Sequence, residues 1–138
     1  MIIHQPEIIQ KDGSAILWSK IEMKKMDKVF MILTSADKEV HKEVSFMYAP
    51  NALKHKWMDQ VRVILWGPTE RLAVEDPEFQ AQIKKLVEQG VEVYACKACS
   101  DSYGVSERLI SLDLDIKVKY VGTMVTEMLK EGWHQLSF

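Results

Sequence analysis

Several things are scarce in this 138-residue chain, and each scarcity narrows what it can be. No apolar run approaches the roughly 20 residues of a membrane span; the longest, such as Val61-Arg62-Val63-Ile64-Leu65-Trp66, are strand-length. Charge of one sign is also lacking. The net charge of −2 gives no electrostatic reason to expect nucleic acid or an anionic membrane as partner. The start, Met1-Ile2-Ile3-His4-Gln5-Pro6-Glu7, has neither the basic residues nor the long apolar stretch of a secretory signal, so the chain is expected in the cytoplasm. Cysteine occurs only twice, at Cys96 and Cys99, and in a reducing compartment such a pair is more often reactive than structural.

What is present is an ordinary globular composition, 47% apolar and 28% charged, long enough for one domain with a core and too short to expect two. From about residue 28, strand-length apolar runs alternate with helical patterns. Val29–Leu33 and Val61–Trp66 read as buried strands, the second ended by Gly67-Pro68. Between them, Thr34 or Ser35 is expected to cap a helix carrying Val40, Val44 and Met47, which Pro50 kinks or splits. The clearest helix begins with Asp76 as N-cap and Pro77 at the first position, carries Phe79, Ile83, Leu86 and Val87 in one stripe, and stops at Gly90. Val91–Ala95 is a third strand, and the dithiol follows it. Beyond Gly104, Ser106 can cap a helix turning Leu109 and Ile110 inward. A fourth strand over Ile116–Val121, a helix capped by Thr123 with Met124, Val125, Met128 and Leu129 apolar, and a last strand over Trp133–Phe138 complete the chain.

Every connection is too long for a hairpin, so the strands should be mostly parallel with helices on both faces, a wound three-layer α/β/α domain over residues 28–138 with about five strands. Residues 1–27 do not fit that alternation. Asp12-Gly13 predicts a turn between Ile8-Ile9 and Ala15-Ile16-Leu17-Trp18, and the segment reads as an extension packing on the domain or on a neighbouring subunit.

The dithiol stands where a strand ends and a helix begins. Backbone N–H groups there stabilise an anion, and thiolate is the form of cysteine that attacks sulfur, carries sulfur or binds metal. Ligands of open α/β sheets bind beyond the carboxyl ends of the strands, where Cys96 falls. The bland alternative is a buried, inert pair under a helix start. Structural zinc needs four ligands, and the histidines His4, His41, His55 and His134 are scattered without paired spacing: His134 in a strand, His41 and His55 on helix surfaces. A thioredoxin-type site needs a proline facing the dithiol from a later strand, yet Pro6, Pro50, Pro68 and Pro77 all precede Cys96. A flavin phosphate finds no glycine- or hydroxyl-dense cradle in Thr34-Ser35-Ala36-Asp37, where Asp37 and Glu39 repel it. No metal or cofactor is expected.

One stretch carries a family pattern: a helix ending in Gly90, the strand Val91-Glu92-Val93-Tyr94-Ala95, Cys96, seven residues, then Gly104-Val105. It resembles the DsrE/DsrF-like family, which includes the TusD-type sulfur-relay subunits. Lys28-Val29-Phe30-Met31-Ile32-Leu33 and the ending from Gly132 to Phe138 are similar as well, so the resemblance covers roughly residues 27–138. It implies a three-layer fold of flavodoxin-like winding and a homo-oligomer, trimer or hexamer, with cysteines near subunit interfaces. It also implies a persulfide carried on Cys96, received from a sulfur donor protein and passed to an acceptor. Cys99 departs from the single-cysteine relay subunits and makes an intramolecular disulfide available.

On this reading Cys96 is the thiolate, favoured by the helix start and by Lys97, each effect worth about 0.3–1 kcal/mol when exposed. Cys99 can resolve the persulfide by attack on the inner sulfur. Thr34, Ser35 and Tyr103 are weaker candidates to line the cleft or orient a partner, while Asp101, Ser102 and Ser106 read as capping residues. Two other functions stay open: a thiol–disulfide redox protein, and a non-catalytic binding or assembly module in which the cysteines are incidental.

Overall fold

A computed structural model describes residues 26–138, together with the backbone of residues 8–9 and 15–16. In the amino-terminal segment, β1 (Ile8–Ile9) pairs antiparallel with β2 (Ala15–Ile16), the partners expected of the hairpin. The Asp12-Gly13 turn, His4 and the packing of the extension lie outside the described residues. The main sheet holds β3 (Lys28–Leu33), β4 (Gln60–Leu65), β5 (Glu92–Cys96), β6 (Ile116–Lys119) and β7 (His134–Ser137) in the order β6-β5-β4-β3-β7. Every pairing in it is parallel, as the long connections require.

Strand order dictates where the helices lie. The chain steps outward from β3 to β6, so right-handed crossovers put every intervening helix on one face. These are α1 (Lys38–Val40), which passes through a π turn (His41–Ser45) into α2 (Phe46–Lys54), then α3 (Pro68–Glu75) and α4 (Pro77–Glu88), then α5 (Lys97–Tyr103) and α6 (Ser106–Ser111). The return from β6 to β7, beside β3, reverses direction and sends α7 (Val121–Lys130) to the opposite face. The α/β/α architecture therefore has unequal layers. On the first face Val29, Met31, Val63, Leu65 and Val93 meet Phe46, Phe79, Ile83 and Leu109. On the second, Phe30, Ile64, Tyr94 and Cys96 meet Val121, Val125 and Met128. Each fully buried aliphatic side chain contributes about 1.5–3 kcal/mol.

The Asp76 cap stands as expected, its Oδ1 accepting from the N–H groups of Glu78 and Phe79 at 3.0 and 3.5 Å. Three other caps differ. Asp37, not Thr34 or Ser35, caps α1, accepting from Glu39 N–H at 2.9 Å. Thr123 lies inside α7, whose N-cap is Tyr120. Ser106 is the first residue of α6, and its hydroxyl donates to Asp101 instead of capping its own helix.

The helix after β3 shows the largest departure from simple periodicity. Val44 and Met47, expected inward, are exposed, and the buried face is His41, Ser45, Phe46, Ala49 and Ala52. Proline lacks an N–H and its ring crowds the carbonyl four residues earlier. For Pro50 that residue is Phe46, where the π turn ends and α2 begins. The extra residue in a π turn rotates the following register. His41, expected at the surface, is consequently fully buried: its Nε2–H donates to Ser35 O at 2.7 Å and its Nδ1 pairs with Ser45 Oγ at 2.9 Å. Ile110 and Leu129 also point outward, because α6 has one buried position, Leu109, and α7 turns Val121, Val125 and Met128 to the sheet.

Candidate functional site

Strand β4 ends at Leu65, and the chain turns at Trp66-Gly67 straight into α3, a helix that the strand-ending Gly67-Pro68 conceals. Pro68 occupies the first helical position, which it suits because the missing N–H has no partner there anyway. Gly67 is required: at φ 79° and ψ −125° its backbone lies in a region that side chains disfavour. Two residues of the first turn then tie α3 across the carboxyl edge of the sheet. Thr69 Oγ1 donates to Leu33 O of β3 at 2.6 Å and accepts from Trp66 N–H at 3.1 Å. Glu70 reaches to β5, where its Oε1 accepts from the backbone N–H of Cys96 at 2.6 Å.

Glu70 carries no exposed surface, and among the described residues its second oxygen, Oε2, has no hydrogen-bond partner. Among the described residues no salt bridge reaches it. Burial therefore raises its pKa from the ordinary 4.5 to about 7, against the smaller opposing effect of the Cys96 N–H. A carboxylic acid half-ionised at neutral pH stands beside both cysteines: one of its oxygens and the two sulfurs all lie within 4.8 Å of one another.

Cys96 is the N-cap residue of α5 and is nearly buried, at 5% exposure, among Ile64, Tyr94 and Val121; its side chain makes no capping bond. Cys99, one turn on, is half-buried and packs on the same cluster, so it is the more accessible sulfur. Burial first, then the hydrogen bond to Cys96 and the charges of Cys96 and Glu70, push the Cys99 thiol up to about 11, while the Gly67 N–H works in the other direction. Both cysteines are free thiols. Three donors fall one short of the closed set of four that structural zinc takes, and we assign no metal to them.

Of the other residues singled out in the sequence, Tyr103 lies beside the Gly67 turn. Its hydroxyl stands 3.9 Å from the place a Cβ on Gly67 would occupy, and the Arg71 guanidinium covers its ring at 5.5 Å. Lys97 does not join the site. Its ammonium pairs with Asp101 at 2.8 Å on the exposed side of α5. Thr34 and Ser35 stand at the end of β3, two strands from Cys96, and serve backbone roles: Thr34 N–H donates to Phe138 O at 2.7 Å, and Ser35 Oγ accepts from Asp37 N–H at 3.1 Å. His55 and His134 are exposed and His41 belongs to the core, so none of these three stands at the dithiol.

Glu70 is the site residue that sequence reasoning missed. A signal for it exists: Glu70, Ala73 and Val74 fall at i, i+3 and i+4, which puts the acid on the apolar face of α3. A glutamate three residues into a helix is ordinarily an exposed partner of the positive helix end, and that reading hides it.

Among curated proteins nothing matches this chain. Solved structures do. The conserved protein of unknown function BT1422 from Bacteroides thetaiotaomicron is 31% identical, with a TM-score of 0.76 over 81% of this chain and 95% of that one. The ychN protein from E. coli (18% identity, TM-score 0.63, 82% of this chain and all of that one) and MTH1491 from Methanobacterium thermoautotrophicum (19%, 0.59, 83% and all of that one) share the fold. The family description that matches residues 27–138 spans the whole five-stranded sheet, both cysteines and Glu70. The chain thus belongs to the DsrE/DsrF-like family, which is generally linked to sulfur relay.

Proposed function

We propose that this protein carries sulfane sulfur as a persulfide on Cys96, taking it from a donor persulfide and giving it to an acceptor thiol, with Cys99 able to resolve the loaded state. The observation that carries the reading is the meeting of two free sulfurs and a buried carboxyl within 4.8 Å of one another at the carboxyl end of β5. Loading is attack by the Cys96 thiolate on the outer sulfur of the donor: a new S–S bond forms on Cys96 and the donor thiolate leaves. Unloading is attack by an acceptor thiolate on the outer sulfur, with Cys96 as leaving group. The near-complete burial of Cys96 suits a carrier, since a shielded sulfane sulfur is kept from adventitious thiols.

The reading extends to a homo-oligomer, trimer or hexamer, working with donor and acceptor proteins. The second sheet face supports it: among the described residues α7 is the one helix over that face, and Arg62, whose guanidinium stacks on Trp133 at 4.7 Å, and Tyr94 line a surface cavity of about 480 Å³ with Lys119, Tyr120 and Met124.

Incubation of the reduced protein with a sulfane donor, followed by intact-mass analysis, tests the assignment. Wild type and Cys99→Ser should each gain about 32 Da, one sulfur atom, while Cys96→Ser should not. An equal gain on Cys96→Ser, or none on Cys99→Ser, whose loaded state has no resolving thiol, removes the role.

The closeness of the two sulfurs also favours a second reading, a thiol–disulfide protein cycling between dithiol and Cys96–Cys99 disulfide. Loss of two hydrogens with a disulfide oxidant, without any sulfur adduct from a sulfane donor, would select it. Thiols that both resist alkylation until the chain unfolds would instead indicate the assembly module.

A further inference from the structure

We infer that Glu70 is the proton acceptor for Cys99 when that thiol attacks the sulfur of Cys96, and that it hands the proton on to the group that leaves. This rests on the proposed reading of the dithiol and adds to it the residue that makes the resolving step run.

The need for such a residue follows from the site. A thiol held near 11 is almost wholly protonated at neutral pH, so Cys99 is a poor nucleophile until something takes its proton. Among the described residues, the titratable and charged groups that face it are few. On β5 there is Cys96 itself, the atom under attack. On α5 there is Tyr103, whose ring is engaged by Arg71 from α3. Lys119, level with Cys96 on β6, sits over the Tyr94 ring at 5.7 Å, and Lys97 is paired with Asp101. None of these cations forms a salt bridge with the Glu70 carboxyl. Glu70 is what remains. Its Oε1 is fixed on the Cys96 N–H, and its buried Oε2 has no hydrogen-bond partner among the described residues. With one carboxyl oxygen within 4.8 Å of both sulfurs, this fully buried acid is near enough to accept a proton directly or through one water.

The step balances without an outside reductant. Cys99 Sγ attacks Cys96 Sγ in the persulfide Cys96–S–SH; the Cys99–Cys96 bond forms and the bond to the outer sulfur breaks. The Cys99 proton passes to Glu70 and from there to the departing HS⁻, which leaves as H₂S. The outer sulfur is reduced to sulfide as the two cysteine sulfurs are oxidised to the disulfide. The same geometry serves a mixed disulfide: attack on Cys96–S–SG expels the glutathione thiolate, which takes the proton.

The experiment uses the full chain, its Glu70→Gln variant and a Glu70→Asp variant, in two arms. In one the reduced protein is loaded with a sulfane donor, and sulfide release and disulfide formation are followed against pH. In the other, oxidised glutathione is the reagent, the cysteine it modifies is located by mass, and resolution of the mixed disulfide on Cys96 is followed. Glutamine keeps an oxygen for the Cys96 N–H, and the extent of loading is measured for each variant so that resolution is read per loaded chain. Resolution in wild type should rise through pH about 7 as Glu70 ionises. In Glu70→Gln it should slow on the order of 10²-fold near neutral pH and rise only toward the Cys99 value. Glu70→Asp should keep the inflection with a reduced rate. Resolution of Glu70→Gln at the wild-type rate and profile overturns the inference while leaving persulfide carriage intact. A glutathione arm that depends on Glu70, beside a sulfane arm without any adduct, sustains the inference and sinks the carrier reading. A native chain that neither reagent modifies sinks both.

Discussion

Replacing Glu70 by glutamine should change how stability depends on pH, and the direction is opposite to that of most carboxylates. In the folded chain the acid is held to about 7, while in the unfolded chain it titrates near the ordinary 4.5. Between those values the native state binds the extra proton, so stability falls as pH rises through the window. Below it there is no penalty; above it the native state must either hold an ionised, buried carboxylate or open. A rise from 4.5 to about 7 corresponds to about 3 kcal/mol lost between about pH 4 and about pH 8. Glutamine preserves the acceptor for the Cys96 N–H and has no proton to lose, so it escapes the penalty.

Urea unfolding of reduced wild type and Glu70→Gln, at equal chain concentration and at several pH values across that window, measures the difference directly. The midpoint of the variant relative to wild type should climb by about 1–2 M from the acid to the neutral end. Other titrations, including that of buried His41, occur in both proteins and cancel. A difference that stays flat across the window would mean that Glu70 ionises equally in both states, and the argument for a neutral-pH acid beside the dithiol would fail.

Three further outcomes follow from the packing. Gly67→Ala should cost about 1–3 kcal/mol, because its φ of 79° and ψ of −125° suit glycine, and should alter Cys99 alkylation because the Gly67 N–H holds that sulfur; unfolding and iodoacetamide kinetics read the two effects. Leu109→Ala should cost about 2–5 kcal/mol and Ile110→Ala under about 0.5 kcal/mol, since the first is 1% exposed and the second 66%; equal costs would mean that α6 is rotated from the orientation described. His41→Ala should cost about 1–3 kcal/mol by leaving Ser45 Oγ and Ser35 O without their partner. Burial lowers the His41 pKa below the usual 6.5, so the unfolded chain binds the extra proton and wild type should lose stability as pH falls through that value; the alanine variant should lose less, by thermal denaturation across the same range.

Sheet and crossover structure were legible because they depend on repeated, redundant signals. Val29–Leu33 is a continuous apolar run and Val61–Trp66 is broken only by Arg62, Asp76-Pro77 and Gly90 bracket α4, and no connection beyond residue 28 is short enough for a hairpin, which leaves a parallel sheet as the physical solution. Errors arose where one residue changed the register for those after it. Pro50 places the π turn before α2, and that added residue turned His41 and Ser45 inward and Val44 and Met47 outward. Helix α3 was hidden because Gly67-Pro68 is read equally well as a strand end and a helix start. The dithiol was found from spacing and position, but its surroundings were not: the carboxyl that faces it is 26 residues earlier and comes to it only through the adjacency of β4 and β5.

That distance explains why the buried acid is informative. A penalty of about 3 kcal/mol is a large share of the roughly 5–15 kcal/mol by which a domain is stable. A glutamine, or an apolar residue of similar size, would remove it, and the fold does not need the charge: Thr69 already anchors the first turn of α3 to β3, and Ala73 and Val74 already bury its inner face. What only the carboxyl supplies is a proton that comes and goes at neutral pH beside two sulfurs. The cost therefore falls beside the two thiols, where a perturbed carboxyl marks a candidate for chemistry and not for stability.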